Sequence, residues 1–522
     1  MKPVKYILFT FSVAGMLFAT ACHDLLDEPA ENRAFTEETD YTISENMVLP
    51  LMGAYADFYQ RGWEDIPLLA VRGDDVNHGG EGDQQDYANT DDFNYNQNFW
   101  MFNSVWQNMY KDIFTAHSAM EQVELYIANG ASASRGDQYI AEAKVLRAWL
   151  MLQLSRMWGD VFITESSDPA QLYTLAPSPK TEVMQHISNQ MDEAIPNLPD
   201  MRPNERTDIP GGVTRYTALA LKAMAHLEME NYQGVADATG AIISSGLFSL
   251  EPDYYNLFKV PGKLNDENLL ELQYSDFGQG SGDNISHLFE FYGPQNWTPA
   301  VEGAGGGWGF FEPSLKWIKF MLDRGEQLRL ETSVLFTNRG IAEIQEDPEY
   351  AELPEWISNT TPSGDVINDF PRGLFSSGKH YLPSNQLTEG RTAYGTNKNY
   401  IITRYAEILL MHAEALTRGA SSSVMTADEA VNEVRDRAGL SPLSGVNTQQ
   451  VMDEKFAELA MELGIRYYDM IRIDNYNALS YDGRQFTATK NICLIRRPRL
   501  ICCLFWEKTQ NNCFSNYKKT IS

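Results

Sequence analysis

Apolar residues recur at helical spacing through most of this chain, and the places where the pattern stops are as informative as the pattern itself. From Glu45 to Gln60, Met47, Leu51, Ala54, Tyr55 and Phe58 fall near one face and predict a first helix. The same spacing predicts helices over Phe99 to Ala128, over Gln138 to Met157, and over Lys180 to Ile195, which Pro196 and Pro199 close. Thr214 to Met229 and Tyr232 to Ser245 form a helix pair across the short turn Glu230–Asn231. Ala218, Ala220, Ala223, Ala225, Ala236, Ala238 and Ala241 let its two helices approach closely. A second pair joins Arg404 to Thr417 with Thr426 to Ala438, where Thr426 and Glu429 make a capping box and Gly439 is the stop. Glu454 to Ile473 predicts a further helix, bent at Gly464.

Two stretches break the period. Arg72 to Asn98 is rich in Gly, Asp, Asn and Gln and predicts a long loop. Leu250 to Asn399 is irregular throughout, and so long an irregular stretch inside a compact domain is usually functional. The helix pairs resemble tetratricopeptide hairpins, although no strict repeat period is visible. The expectation is a mostly α fold. A tetratricopeptide-like scaffold over 45–249 and 400–475 carries a loop-rich, ligand-binding excursion over 250–399.

The N-terminus reads as an export signal. Lys2 and Lys5 precede an apolar run from Tyr6 to Phe18, then Ala19, Thr20 and Ala21 lead into Cys22. A cysteine there is a lipid attachment site, so 1–21 is read as a lipoprotein signal peptide and 22–44 as a tether. Several acyl chains, at about 0.8 kcal/mol per buried CH₂, give lasting anchorage. After Cys22 no apolar stretch reaches transmembrane length, so the membrane is met through the lipid alone.

Charge narrows the partners. The net charge of −30 repels phosphate backbones and argues against nucleic acid. Aromatic residues make up 12% of the chain, which suits ring faces for sugar or peptide ligands.

The last third carries a family likeness. Asn399 to Ala415 (NYIITRYAEILLMHAEA), Val431 to Leu440 (VNEVRDRAGL) and Gly464 to Arg472 (GIRYYDMIR) resemble signature segments of the SusD/RagB family. Upstream, Ala141 to Ala148 (AEAKVLRA) and Trp158 to Val161 (WGDV) resemble it in order and spacing. His117 stands where the family usually has Asn. The resemblance spans Cys22 to about residue 489, with 45–489 as the domain. It implies a lipid-anchored protein of the outer membrane that faces the exterior, as Asp24, Asp27 and Glu28 after the lipidated cysteine suggest. It also implies capture of oligosaccharide and delivery to a SusC-like TonB-dependent transporter, with no catalysis. The alternatives are a surface receptor for peptides or glycopeptides, and a surface glycoside hydrolase.

From Lys490 the composition changes: seven Lys/Arg stand against one acidic residue, with Cys493, Cys502, Cys503 and Cys513. Codons exist for this stretch that, read from their third base, spell a family-like ending beginning Lys-Tyr-Met-Pro-Tyr-Pro. The segment 490–522 is therefore read as an aberrant, frame-shifted tail, which sequencing across codon 490 decides.

Chemistry is sought in loop aromatics and in paired acids. A pyranose needs ring platforms beside hydroxyl-binding groups. Trp63, His78, Tyr87, Phe99 and Trp100 lie in or beside the first polar loop, and Tyr292, Trp297, Trp308, Phe310 and Phe311 in the excursion. Trp297 and Trp308, set among glycines and prolines, are the leading platforms; Asp74, Asp75, Asn77, Asp83, Gln84, Gln85, Asn94 and Asn96 offer polar edges. Glu407 and Glu414, seven apart on one helix, invite a glycosidase reading. Arg404, Arg435, Arg437, Glu458, Glu462, Arg466, Asp469 and Arg472 point instead to interhelical ion pairing. Gly305 to Gly307 lack the Lys-Ser/Thr of a phosphate loop. No zinc pattern or nucleophile elbow appears; the one cofactor left open is a structural calcium in the acidic loop Asp74 to Asp92.

Overall fold

The computed structural model describes residues 39–490 apart from 62, 64–65, 67–70, 81, 97–98, 277–283 and 389–394. Cys22, its signal, most of the tether and the basic tail from Asn491 lie outside the described residues.

The helical scaffold follows the apolar period closely. Leu49–Tyr59 packs on Trp100–Ala128, which packs on Ala133–Trp158, then Lys180–Ala194, Arg215–Glu228 and Tyr232–Ser244 continue the layer. Tyr405–Thr417 lies against Tyr232–Ser244 and pairs with Ala427–Arg437, so the two sequence-distant hairpins are neighbours. Capping explains the boundaries. Asn231 Oδ1 accepts from Gly234 N at 3.1 Å, and Thr426 and Glu429 close the expected reciprocal box. Gly136 allows the long helices to touch: a Cβ there would stand 2.5 Å from Ile127 Cδ1. His117 is buried in this layer, with Nε2 3.0 Å from both Thr164 oxygens and the Arg147 guanidinium against its ring. Burial, then the charge of Arg147, pushes it down to about 3, so it stays neutral.

Two expectations need correction and one is refined. The predicted loop 72–98 contains strand β1 (Val76–His78) and the helix Gln85–Asp91. The excursion is loop-rich, and its described residues also carry short elements between the loops: β2 (Asn268–Leu272), β3 (Trp297–Thr298), β4 (Phe311–Pro313), β5 (Val334–Phe336), β6 (Val366–Ile367) and β7 (Phe375–Ser377), with short helices among them. With β8 (Tyr400–Arg404) they form antiparallel pairs β1–β4, β2–β8, β3–β6 and β5–β7. Such short strands leave no readable alternation. The other correction concerns Glu454 to Ile473. Thr448–Glu458 and Ile465–Arg472 are separate helices, because Met461, Leu463 and Gly464 take φ values of 64°, 49° and 67°. That turn is held from outside: Asp75 Oδ2 accepts from Met461 N at 2.6 Å, and the Tyr400 hydroxyl accepts from Leu463 N at 3.0 Å.

Candidate functional site

Three stretches of backbone run against one another to build an aromatic surface on the excursion. Trp308 N donates to Glu290 O (2.6 Å), Gly309 N to Gly293 O (3.0 Å) and Phe310 N to Phe291 O (2.9 Å), while Gly79 N donates to Phe310 O (2.6 Å). Glycine makes this proximity possible. A Cβ on Gly307 would fall 2.5 Å from the Gly293 carbonyl carbon, and one on Gly79 would fall 2.3 Å from Gly309 O. The glycine run is thus a backbone crossing.

On this frame Trp63 stands edge-to-face against His287 (5.1 Å), Phe291 (5.4 Å) and Trp308 (5.6 Å). Trp308 in turn meets Phe291 (5.3 Å) and Phe310 (5.2 Å). Trp63 is 43% exposed, whereas Trp308 and Phe310 are half-buried. The Arg372 guanidinium lies 4.6 Å from the Phe310 centroid, donates to Trp308 O at 2.9 Å and pairs with Asp83. It braces the platform from its edge.

The remaining sequence-predicted aromatics divide. Tyr87 is buried, bridging Phe99, Phe291 and Phe311, and Tyr292 is buried with its ring stacked 3.8 Å from His380. Tyr87 also meets Phe310 of the platform, while Tyr292 reaches it through Phe311. Trp100 is 53% exposed beside Phe99, at the far end of the same ring series. Trp297 belongs elsewhere: on β3 it packs against Phe289 and Tyr381, each 6.0 Å away. His78 Nδ1 meets Asp91 Oδ2 at 2.8 Å. Burial opposes its charge, but that carboxylate outweighs burial and raises it above the ordinary histidine value. Sequence reading missed His287, Phe291 and Arg372. A signal for two of them existed, the His-x-x-Glu spacing beside Phe289, Phe291 and Tyr292.

Several expected polar edges are committed internally. Asp74 is buried and paired with Lys316 and Arg466 at 2.6 Å each; burial opposes its charge, yet these cations hold it below the ordinary carboxylate range. Asp75 is buried, which pushes it up to about 6. Asn77 accepts from Arg484 and Tyr481. Among the described residues, no group of three or more His, Cys, Asp or Glu side chains is placed to hold a metal.

The acids of the scaffold form ion pairs. Arg404 donates to Glu267, Glu458 and Glu462, while Arg329 joins Glu326, Glu454 and Glu458. Arg437 bridges Glu267 and Glu458, and Arg435 meets Glu454. Glu414 accepts from Arg418, Lys455 and Arg472, and Asp469 from Lys455 and Arg472. Glu407 is buried, and desolvation lifts it to about 7. With both members of the Glu407/Glu414 pair inside the scaffold, neither is presented to a sugar chain.

Comparison with known proteins agrees with this architecture. A model of the SusD family matches residues 266–493, and one described as starch-binding associating with outer membrane matches 72–224. A SusD-like protein of Bacteroides ovatus is 24% identical over 525 aligned positions, covering 94% of this chain and 87% of that protein. SusD-like protein P2 of Formosa agariphila is 24% identical, covering 90% and 91%. Among solved structures, a laminarin-binding SusD-like protein superposes with a TM-score of 0.71 at 24% identity, covering 86% of this chain and 95% of that one. Surface glycan-binding protein A from Bacteroides thetaiotaomicron, solved with laminarihexaose, also gives 0.71, at 22% identity and covering 87% and 97%.

Proposed function

From the premise that this chain belongs to the SusD family, we propose that it captures oligosaccharides at the cell surface on the Trp63–Trp308 platform and delivers them to a SusC-like TonB-dependent transporter. The observation that carries this reading is the exposed indole of Trp63, held edge-on by three other rings above a backbone crossing that fixes Trp308 and Phe310. A sugar's C–H face stacks on such a ring while its hydroxyls reach flanking polar groups. The solved neighbours, one a laminarin-binding SusD-like protein and one a surface glycan-binding protein in complex with laminarihexaose, support a glycan ligand. The outer-membrane association in the family description supports the place, with Cys22 as the lipid-bearing residue. In this reading no bond is made or broken, and the work is binding followed by transfer.

Native affinity electrophoresis of the purified chain through gels containing individual polysaccharides tests it. One glycan should retard the protein, and Trp63→Ala and Trp308→Ala should each weaken retardation by about fivefold or more, as a stacking loss of at least about 1 kcal/mol, on the scale known for nucleobases on aromatic rings, implies. Trp297→Ala should leave it intact. Folded protein that no glycan retards, or retardation indifferent to Trp63, would overturn the proposal.

A further inference from the structure

The Trp63 platform has a polar edge in His287 and Glu290. Glu290 belongs to the short helix Leu288–Tyr292 and its side chain is 2% exposed. Its main-chain carbonyl accepts from Trp308 N at 2.6 Å, and its Oε1 accepts from Gly395 N at 2.6 Å. Oε2 is buried with no hydrogen-bond partner. The Nδ1 of His287, also buried and unpartnered, stands 3.7 Å away, too far for a hydrogen bond and close enough that a small rotation makes one. The imidazole is 30% exposed and edge-on to the Trp63 indole at 5.1 Å. With Nδ1 turned inward, Nε2 is the nitrogen left to the solvent side.

An unmade hydrogen bond between two buried groups is costly, and its presence beside an exposed indole marks a pair that tightens when something occupies the outer face. We infer that His287 is the polar contact of this platform, its outward Nε2 accepting a hydrogen bond from a hydroxyl of a neutral sugar stacked on Trp63, with Glu290 as the positioning residue that fixes Nδ1–H. This rests on the reading of the Trp63–Trp308 surface as a glycan site. A carboxylate behind one imidazole nitrogen fixes the proton there and leaves a lone pair on the other. That lone pair suits a hydroxyl donor. It offers nothing to a uronate carboxylate, which the Glu290 charge also repels. Arg372, at the edge of the platform, is already paired with Asp83. The ligand class is therefore a neutral glycan rather than a uronic-acid chain.

The test uses the purified chain with neutral probes (laminarin, amylopectin, galactomannan, arabinoxylan) and anionic ones (polygalacturonate, alginate). A neutral polysaccharide should be retained and the anionic ones not. His287→Gln and Glu290→Gln should each weaken retention about tenfold, the worth of one hydrogen bond. The ¹⁵N signals of His287 should report a single Nδ1–H tautomer in the parent and a mixture in Glu290→Gln, which a merely structural role for Glu290 would not produce. His287→Gln alters a partly exposed side chain, so it tests the contact even where Glu290→Gln loosens the fold. Tight binding of polygalacturonate or alginate would overturn the inference. So would full retention by both variants alongside loss in Trp63→Ala, and that result would leave the platform reading standing. Absence of retention by every probe, or indifference to Trp63→Ala, would overturn both.

Discussion

Lys259 shows how far single side chains have been drawn out of water in this protein. Its Nζ is buried, donating to Gly378 O at 2.8 Å, with the Tyr255 and Tyr381 ring centroids at 4.5 and 5.5 Å. Burial pushes the amine down to about 7 from an ordinary 10.5, and the charge of Asp253 opposes this only in part. Between those values the unfolded chain holds a proton that the folded chain lacks. The destabilisation from this group is therefore complete below pH 7 and fades as pH rises toward 10.5. Glu312 and Glu407, lifted to about 7 by burial, behave in the opposite sense: their favourable contribution is complete below about 4.5 and is lost as pH rises through 7. Comparing Lys259→Met with the parent at each pH isolates the lysine. Urea unfolding should find the variant more stable by about 2 kcal/mol at pH 7, with most of that gain gone at pH 10. An equal gain at both values would show that the folded protein carries Lys259 charged.

At the scale of elements, the glycine crossing makes the platform. Gly307→Ala places a methyl group against the Gly293 carbonyl, and backbone cannot yield as a side-chain tip can. The strain should separate the Trp308–Phe310 segment from Glu290 and Phe291, costing about 1–3 kcal/mol in unfolding experiments and reducing glycan retention by about fivefold or more. Gly303→Ala, with open space around its Cβ position, is the matched control at a neighbouring glycine, although its φ of 89° carries a strain of its own. Unchanged retention in Gly307→Ala would show that the crossing does not set the ring positions. This crossing also marks where sequence reading ran out. Helix periodicity exposed the scaffold from Leu49 to Ser244 and from Tyr405 to Arg437, because apolar faces repeat over many turns. Strands as short as β3 and β6, two residues each, carry no period, and their pairing joins Trp297 to Ile367, far apart in the sequence. For the same reason Trp297 and Trp308 looked equivalent in sequence, though one packs on Phe289 and the other on Trp63. Loop aromatics announce that rings are present; long-range pairing decides which of them meet.

Over the whole molecule, the first polar loop is tied down by the last described segment of the chain. Arg466 and Lys316 hold Asp74, Met461 N donates to Asp75, and the Arg72 guanidinium stacks 4.2 Å from the Tyr467 centroid. Arg484 reaches furthest, donating to Asp91 Oδ1 and Asn77 Oδ1 at 2.6 Å each, while Asp91 also receives His78 through its main-chain and ring nitrogens. Phe93 and Phe486 close the same contact with centroids 4.8 Å apart. Since Gln85–Asp91 carries Tyr87, the ring beneath Phe291 and Phe310, Arg484 supports the platform from nearly 400 residues away in sequence. Arg484→Met leaves the Asp91 carboxylate buried with only His78 to balance it. It should cost about 3–5 kcal/mol of stability, and Asp91→Asn in the same chain should recover part of the loss. Glycan retention should fall in Arg484→Met and return partly in the double variant. Trp63→Ala should weaken retention at a smaller cost in stability than Arg484→Met, since its ring is 43% exposed and its loss leaves no buried charge unpaired. Stability and binding that move independently in Arg484→Met would show that the loop and the platform are not one mechanical unit.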